Sequence, residues 1–188
     1  KSKSKQSTEL LFNHTAKKGF PFKYQVSQKF ILKNKSIFIN FSILNNDKDS
    51  FDCGIGFHPW FNLHKISKIY SNNFTYTKEY EKKIFKKKLF LKKKFLDLNK
   101  YKIDQTFINW KGVAKLIIDK DTAIEIKNIK NINNLHVYSP PNENFFCIEP
   151  VTNIGNAYNI KKHSKIYQGL KVLKSGKKFE AKVEFRLI

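Results

Sequence analysis

The chain has 188 residues, is 40% hydrophobic and carries a formal net charge of +22. That is enough apolar content for one packed domain of ~100–200 residues, and no run of 18 apolar residues is present to cross a membrane as a helix. The charge, by contrast, excludes less than its size suggests. Arg186 is the only arginine among 37 basic side chains, whereas phosphates and base edges are best gripped by the planar arginine fork. Lysine, asparagine, isoleucine and phenylalanine together make half of the chain. Their codons can be written with A and T alone. The lysines therefore read as the imprint of an AT-rich genome on a solvated surface, not as a specific nucleic-acid site.

The opening stretch "KSKSKQSTELLF" is charged but lacks the apolar centre of a signal peptide, so a cytoplasmic location is expected. The first clear element is "SIFINFSILNN", in which Ile37, Ile39, Phe41 and Ile43 fall on one face. Strict alternation marks a strand with one buried side. Turn residues in "KNK" and "LNNDKDS" bound it. Residues 76–101 are harder to read, because short apolar runs sit between lysine triplets. Ile84, Leu91 and Phe95 could form a helical seam, or the runs could be short strands guarded by lysine-rich edges, or a basic amphipathic helix could lie on a membrane. Next, "AKLIID" and "TAIEIKNI" read as two strands around a "DKD" turn, and "LHVYSPP" as a strand stopped by prolines. After "KSGK", the closing "KFEAKVEFRLI" alternates Phe179, Ala181, Val183, Phe185 and Leu187 with charged residues. Many short strands with polar turns predict an all-β, antiparallel sandwich or barrel. No repeat or linker divides the chain, so residues 1–188 form a single domain.

Three stretches place polar groups in apolar surroundings: "GIGFHPWFNL" with His58, "KIDQTFINWKGVAKL" with Asp104, and "ENFFCIEPVTNIGNAYN" with Glu149. A carboxylate between Ile148 and Pro150 is costly to bury without a partner or a task. Singly, His58 reads as a satisfied core histidine and Asp104 as a turn or cap residue. The five histidines show no metal-ligand spacing such as HExxH. Cys53 and Cys147 form no CxxC pair, and reduced thiols are the default for a cytoplasmic protein.

Taken in order, these stretches resemble the aldose 1-epimerase, or galactose mutarotase-like, family. "GFPFKYQVSQKFIL" with "SIFINFSILNND" is similar to the family's early strands. "GIGFHPWFNL" is similar to its His-Pro-aromatic segment, and "IDQTFINWKGVAKLII" to its aspartate segment. "VYSPPNENFFCIEPVTNIGNAYN" is similar to the segment that carries its glutamate, and "GLKVLKSGKKFEAKVEFRLI" to its closing turn and strand. The histidine and glutamate segments are the specific ones.

The resemblance implies an antiparallel β-supersandwich and interconversion of the α and β anomers of a hexose or hexose phosphate. Ring opening takes the proton from the C1 hydroxyl and gives one to the ring oxygen; reclosure from the other face reverses both roles. That chemistry asks for one carboxylate and one protonated imidazole on opposite sides of a sugar. By matching position, Glu149 would be the base, His58 the acid, and Asp104 the acceptor for sugar hydroxyls. Trp60, Phe107 and Trp110 could supply an apolar wall under the ring, with core packing the expected fate of at least some of them. No metal or organic cofactor is implied, and the partner is a small sugar.

The family's first strands, with an arginine and another histidine, have no counterpart in this sequence. His14 matches none of its motifs, and the chain contains no methionine. The sequence therefore reads as the C-terminal two thirds of the family domain, incomplete at its N-terminus. A homo-oligomer or a partner chain covering the open edge is the corresponding expectation. Two other readings stay open: a non-catalytic carbohydrate-binding module of the same fold, and a basic nucleic-acid-associated protein.

Overall fold

The computed structural model describes residues 6–63, 68–71, 75–77, 88–90, 95–99, 103–110, 112–159 and 169–188. Among them are sixteen strands: β1 (Ser7–His14), β2 (Tyr24–Lys33), β3 (Ser36–Asn45), β4 (Phe51–Cys53), β5 (Trp60–Asn62), β6 (Lys68–Ser71), β7 (Thr75–Thr77), β8 (Lys88–Phe90), β9 (Phe95–Asp97), β10 (Ile103–Ile108), β11 (Val113–Ile117), β12 (Ala123–Lys130), β13 (Asn134–Ser139), β14 (Phe145–Val151), β15 (Lys171–Leu173) and β16 (Lys178–Leu187). Every pairing between them is antiparallel. Among the described residues, no helix is long and apolar enough to cross a membrane.

The strands form an eight-stranded sheet in the order β1-β2-β3-β16-β12-β11-β6-β9, a six-stranded sheet in the order β5-β14-β13-β10-β7-β8, and the small pair β15-β4. The alternation read in β3 and β16 has a direct structural meaning, because the two apolar rows face each other across one ladder. Phe179 pairs with Ile43, Ala181 with Phe41, Val183 with Ile39 and Phe185 with Ile37. The two strands around "DKD" pair as expected, from Val113↔Lys127 to Ile117↔Ala123. Asn34 in "KNK" and Gly176 in "KSGK" take positive φ, 54° and 66°, which tight turns require and which these two residue types tolerate.

One core joins the sheets. Ala181, Val183, Ile126, Leu116 and Ile69 come from the large sheet, and Phe146, Ile148, Leu135, Val137 and Phe107 from the six-stranded one. Phe146, Ile148, Leu135 and Val137 are all fully buried. Their own strand neighbours must therefore point the other way, out of the sandwich. That simple consequence creates the candidate site.

Within residues 76–101, the described part contains the end of β7, then β8, then β9 followed by a turn at Leu98 and Asn99. Phe95 lies in β9, opposite Tyr70 of β6. Ile84 and Leu91, the other members of the helical seam, lie outside the described residues.

Candidate active site

The outward face of the six-stranded sheet is built from residues that alternate with the core. On β14, Phe145, Cys147 and Glu149 point out while Phe146 and Ile148 point in. On β13, His136 and Tyr138 point out while Leu135 and Val137 point in; on β10, Asp104 and Thr106 point out while Phe107 points in.

The segment before β5 completes this face. It runs antiparallel along β14, held by a bridge between Gly56 and Val151, by the Phe57 amide donating to the Pro150 carbonyl at 3.0 Å, and by Trp60 opposite Cys147. The register on both sides sets His58 directly across from Glu149. Close approach is what the two glycines of "GIG" allow. A Cβ on Gly54 would meet Asn153 Oδ1 at 2.0 Å, and one on Gly56 would meet Val151 Cγ1 at 3.0 Å. Pro59 has no amide hydrogen, so nothing is lost where the strand pairing is interrupted beside His58.

Two transverse rows result. One runs His58, Glu149, His136, Thr106; the next runs Trp60, Cys147, Tyr138, Asp104. Adjacent strands lie about 4.8 Å apart, so functional groups from four chain segments meet within a small patch. His58 Nε2 is 3.4 Å from Glu149 Oε1, with the imidazole 56% exposed and the carboxylate only 14% exposed. His136 Nε2 is 3.1 Å from Asp104 Oδ1, and its Nδ1 is 2.9 Å from Thr106 Oγ1. An ionised carboxylate only accepts, so Nε2 carries the hydrogen and donates to Asp104. In the neutral ring, Nδ1 then accepts from the Thr106 hydroxyl. His136 is thus fixed at both nitrogens.

Burial is the main influence on Glu149, and it pushes the carboxyl above its ordinary value of 4.5. The nearby His136 and His58 imidazoles oppose this, in that order, and the Asp104 carboxylate adds to it. A raised value means that the folded state holds this proton to higher pH than the unfolded chain does. The stabilising contribution is complete below about pH 4.5 and is lost as pH rises through the folded-state value. Glu149→Gln should therefore be more stable than the wild type at neutral pH, with the gap closing toward pH 4.5. Urea unfolding of both proteins at the two pH values checks this; a gap that does not change with pH would contradict it.

The aromatic residues divide between the two faces. The Trp60 ring is 63% exposed, stacks on Phe145 at 4.1 Å and lies 5.9 Å from the His58 ring. Phe61 turns inward onto Phe146 instead. Trp110 and Phe107, expected beneath the sugar, are core residues, 4% and 3% exposed. The Trp110 indole donates inward, to Ser71 Oγ at 3.2 Å and the Val113 carbonyl at 3.1 Å. Proximity to Asp104 in sequence could not show that Trp110 belongs to the other face. The structure adds His136, Thr106, Cys147 and Tyr138 to the site. Their signal was present: His136 and Tyr138 alternate with Leu135 and Val137, so the buried pair assigns the polar pair to one outward face.

A separate cavity of about 580 Å³ borders the other side of His58, lined by Ile37, Ile39, Phe57, Phe61, Phe185 and Arg186 among others. It contains neither Glu149 nor Asp104. Its apolar walls offer few groups to read a polyol, so the outward face is the better candidate for a polar ligand.

A family model described as aldose 1-epimerase matches residues 1–186. The fold is shared with solved structures at low sequence identity. A candidate aldose 1-epimerase from Escherichia coli K12 is 20% identical with a TM-score of 0.79, over 100% of this chain and 67% of that one. A galactose mutarotase-like protein from Clostridium acetobutylicum is 15% identical with a TM-score of 0.82, over 97% and 62%. A galactose mutarotase related enzyme from Lactobacillus acidophilus is 18% identical with a TM-score of 0.78, over 98% and 69%. The chain thus spans about two thirds of the length of these structures. No curated protein matches it significantly. With the antiparallel sandwich, the His-Pro-aromatic and glutamate segments facing each other on it, and a family match across nearly all its residues, the chain belongs to the aldose 1-epimerase family.

Proposed function

We propose that this face catalyses interconversion of the α and β anomers of a hexose or hexose phosphate. The observation that carries the reading is the first row: a half-exposed imidazole and a mostly buried carboxylate held 3.4 Å apart on facing segments. The C1 hydroxyl and the ring oxygen of an aldose are attached to the same carbon. The two groups do not flank a sugar from opposite sides, as the resemblance implied, but at 3.4 Å they can serve both oxygens from one edge of the ring. Entry of the sugar replaces the direct contact, and His58, on the solvent side, is free to turn outward for it.

Glu149 takes the proton from the C1 hydroxyl as the His58 imidazolium gives one to the ring oxygen. The ring opens, C1 turns, and reclosure returns both protons. Burial of Glu149 makes it a better base than an exposed carboxylate, since a raised pKa lies closer to working pH. Asp104, whose side chain is 74% exposed, accepts hydrogen bonds from sugar hydroxyls, and Trp60 lays an exposed ring beside the site. Every step moves only protons between chain and sugar.

Exchange spectroscopy on α- and β-glucose, with and without 6-phosphate, tests the reading. The rate with protein should exceed that of buffer for at least one sugar. A sugar that binds without faster exchange would instead make this a carbohydrate-binding module. Asp104→Ala removes a charged hydrogen bond worth about 1.5–3 kcal/mol, so kcat/KM should fall about 10–150-fold. An unchanged kcat/KM would remove Asp104 from the sugar site.

A further inference from the structure

The three donor types on the outward face converge more tightly than acid-base chemistry alone requires. His58 Nε2, Cys147 Sγ and a Glu149 carboxylate oxygen lie within 4.8 Å of one another. Cys147 and Glu149 are two residues apart on β14 and share its outward face, and His58 stands across from Glu149. Tetrahedral zinc takes bonds of about 2.0–2.3 Å to nitrogen, oxygen and sulfur. Its ligand atoms then sit about 3.3–3.8 Å from each other. The His58–Glu149 separation of 3.4 Å already matches, and the distances to the sulfur need to shorten by at most about 1.5 Å, which rotations of the exposed His58 ring and of the Glu149 side chain can share.

We propose that His58, Cys147 and Glu149 form a three-ligand site for a thiophilic divalent cation of the zinc class, and that the cation shuts the sugar site. The donor set selects the class: a thiolate beside an imidazole favours zinc over magnesium or calcium, which seek oxygen. A water could supply a fourth ligand, since the His58 side chain is 56% exposed. Closure follows from the ligands themselves. A coordinated His58 nitrogen has no proton to give, and a coordinated Glu149 oxygen cannot take one. The binding half of this inference stands alone, whereas the shut-off half rests on the proposed mutarotase reaction.

Binding is a proton exchange: the Cys147 thiol gives up H⁺, its sulfur forms a bond to the cation, and no electron is transferred. Cys147 is fully buried, and its thiol must release a proton to bind the cation, so affinity should rise with pH. The same burial makes two neighbouring anions costly without a counter-charge, which a dication supplies.

Cobalt(II) titration of the whole chain reads the site directly, because a cobalt–thiolate bond has a near-ultraviolet charge-transfer band. One ion per chain is expected, displaced by zinc. The band should vanish in Cys147→Ala and persist in Cys53→Ala. His58→Ala, at a half-exposed position that does not threaten folding, should weaken binding by more than about 100-fold, beyond the 10–100-fold typical of losing an outer partner. A band that survives in Cys147→Ala, or a wild type that gives none, overturns the site. In the exchange assay, saturating zinc should lower the wild-type rate at least tenfold. For Cys147→Ala, whatever its own rate, the ratio with and without zinc should stay near one. Cobalt bound at these residues with an unslowed exchange sinks the shut-off half. A chain that binds cobalt there but never exchanges anomers keeps the metal site and loses the mutarotase reading, and exchange without cobalt binding does the reverse.

Discussion

Replacing Glu149 by Gln is expected to lower the anomer-exchange rate about 10²–10⁴-fold, the usual contribution of a positioned proton-transfer group. The substitution keeps the shape of the side chain and its ability to accept from His58. It removes only the capacity to take a proton from the C1 hydroxyl. Because Glu149 points out of β14 while Ile148 carries the core contact, the variant should fold normally, and its loss of rate cannot be assigned to unfolding. Sugar binding should change far less than turnover, since the amide still occupies the same space. Exchange spectroscopy gives the rate, and circular dichroism gives the fold. A Glu149→Gln protein that exchanges anomers as fast as the wild type would end the assignment of Glu149 as the base.

Trp110→Ala is expected to cost about 3–5 kcal/mol of folding stability, the range for removing a large aromatic side chain from a packed core. A domain is typically stable by only about 5–15 kcal/mol, so much of the protein should be unfolded at moderate temperature. The cavity is one cause. The other is that Ser71 Oγ and the Val113 carbonyl lose the indole that bonds to them. Trp60→Ala should behave in the opposite way. Its ring is largely exposed and stacks on Phe145, so only about 0.5–1.5 kcal/mol is at stake in that aromatic pair, while KM for the sugar should rise several-fold. Urea unfolding and sugar kinetics of the two variants separate the roles. A Trp110→Ala protein of normal stability but poor sugar affinity would return that residue to the sugar site.

The two tryptophans also show what the sequence could and could not reveal. Alternation exposed the buried faces of β3 and β16 so clearly that the apolar rows picked from the sequence are the rows that pair in the sheet. Period two is a local property, and local properties survive in one dimension. The order of strands is not local: β3 lies beside β16 across most of the chain's length, and β14 lies between β5 and β13. No pattern within a segment states which distant segment will be its neighbour. His58, Asp104 and Glu149 could be placed in one site only through resemblance to a family. Alternation could give the outward face of His136 and Cys147, but their places in the two rows required the register itself. Trp110 went astray for the same reason: "FINW" ends a strand, and beyond Ile108 the chain turns back toward Ser71 and Val113. The lysine-rich stretch defeated pattern reading because its apolar runs are too short to distinguish a period of two from one of 3.6.

The alternation on β14 links the site to the core through a single residue step: Ile148 is wholly buried, and Glu149 beside it faces the ligand side. Substitutions can change either residue while leaving the other where it is. An insertion or deletion cannot. Loss of Phe145, Phe146 or Cys147 would turn the carboxylate into the sandwich and Ile148 out to solvent, because every side chain beyond the change switches face. Lineages carrying this fold can therefore vary the chemistry of the face by point mutation, but the length of this strand is fixed as long as both the fold and the site are under selection.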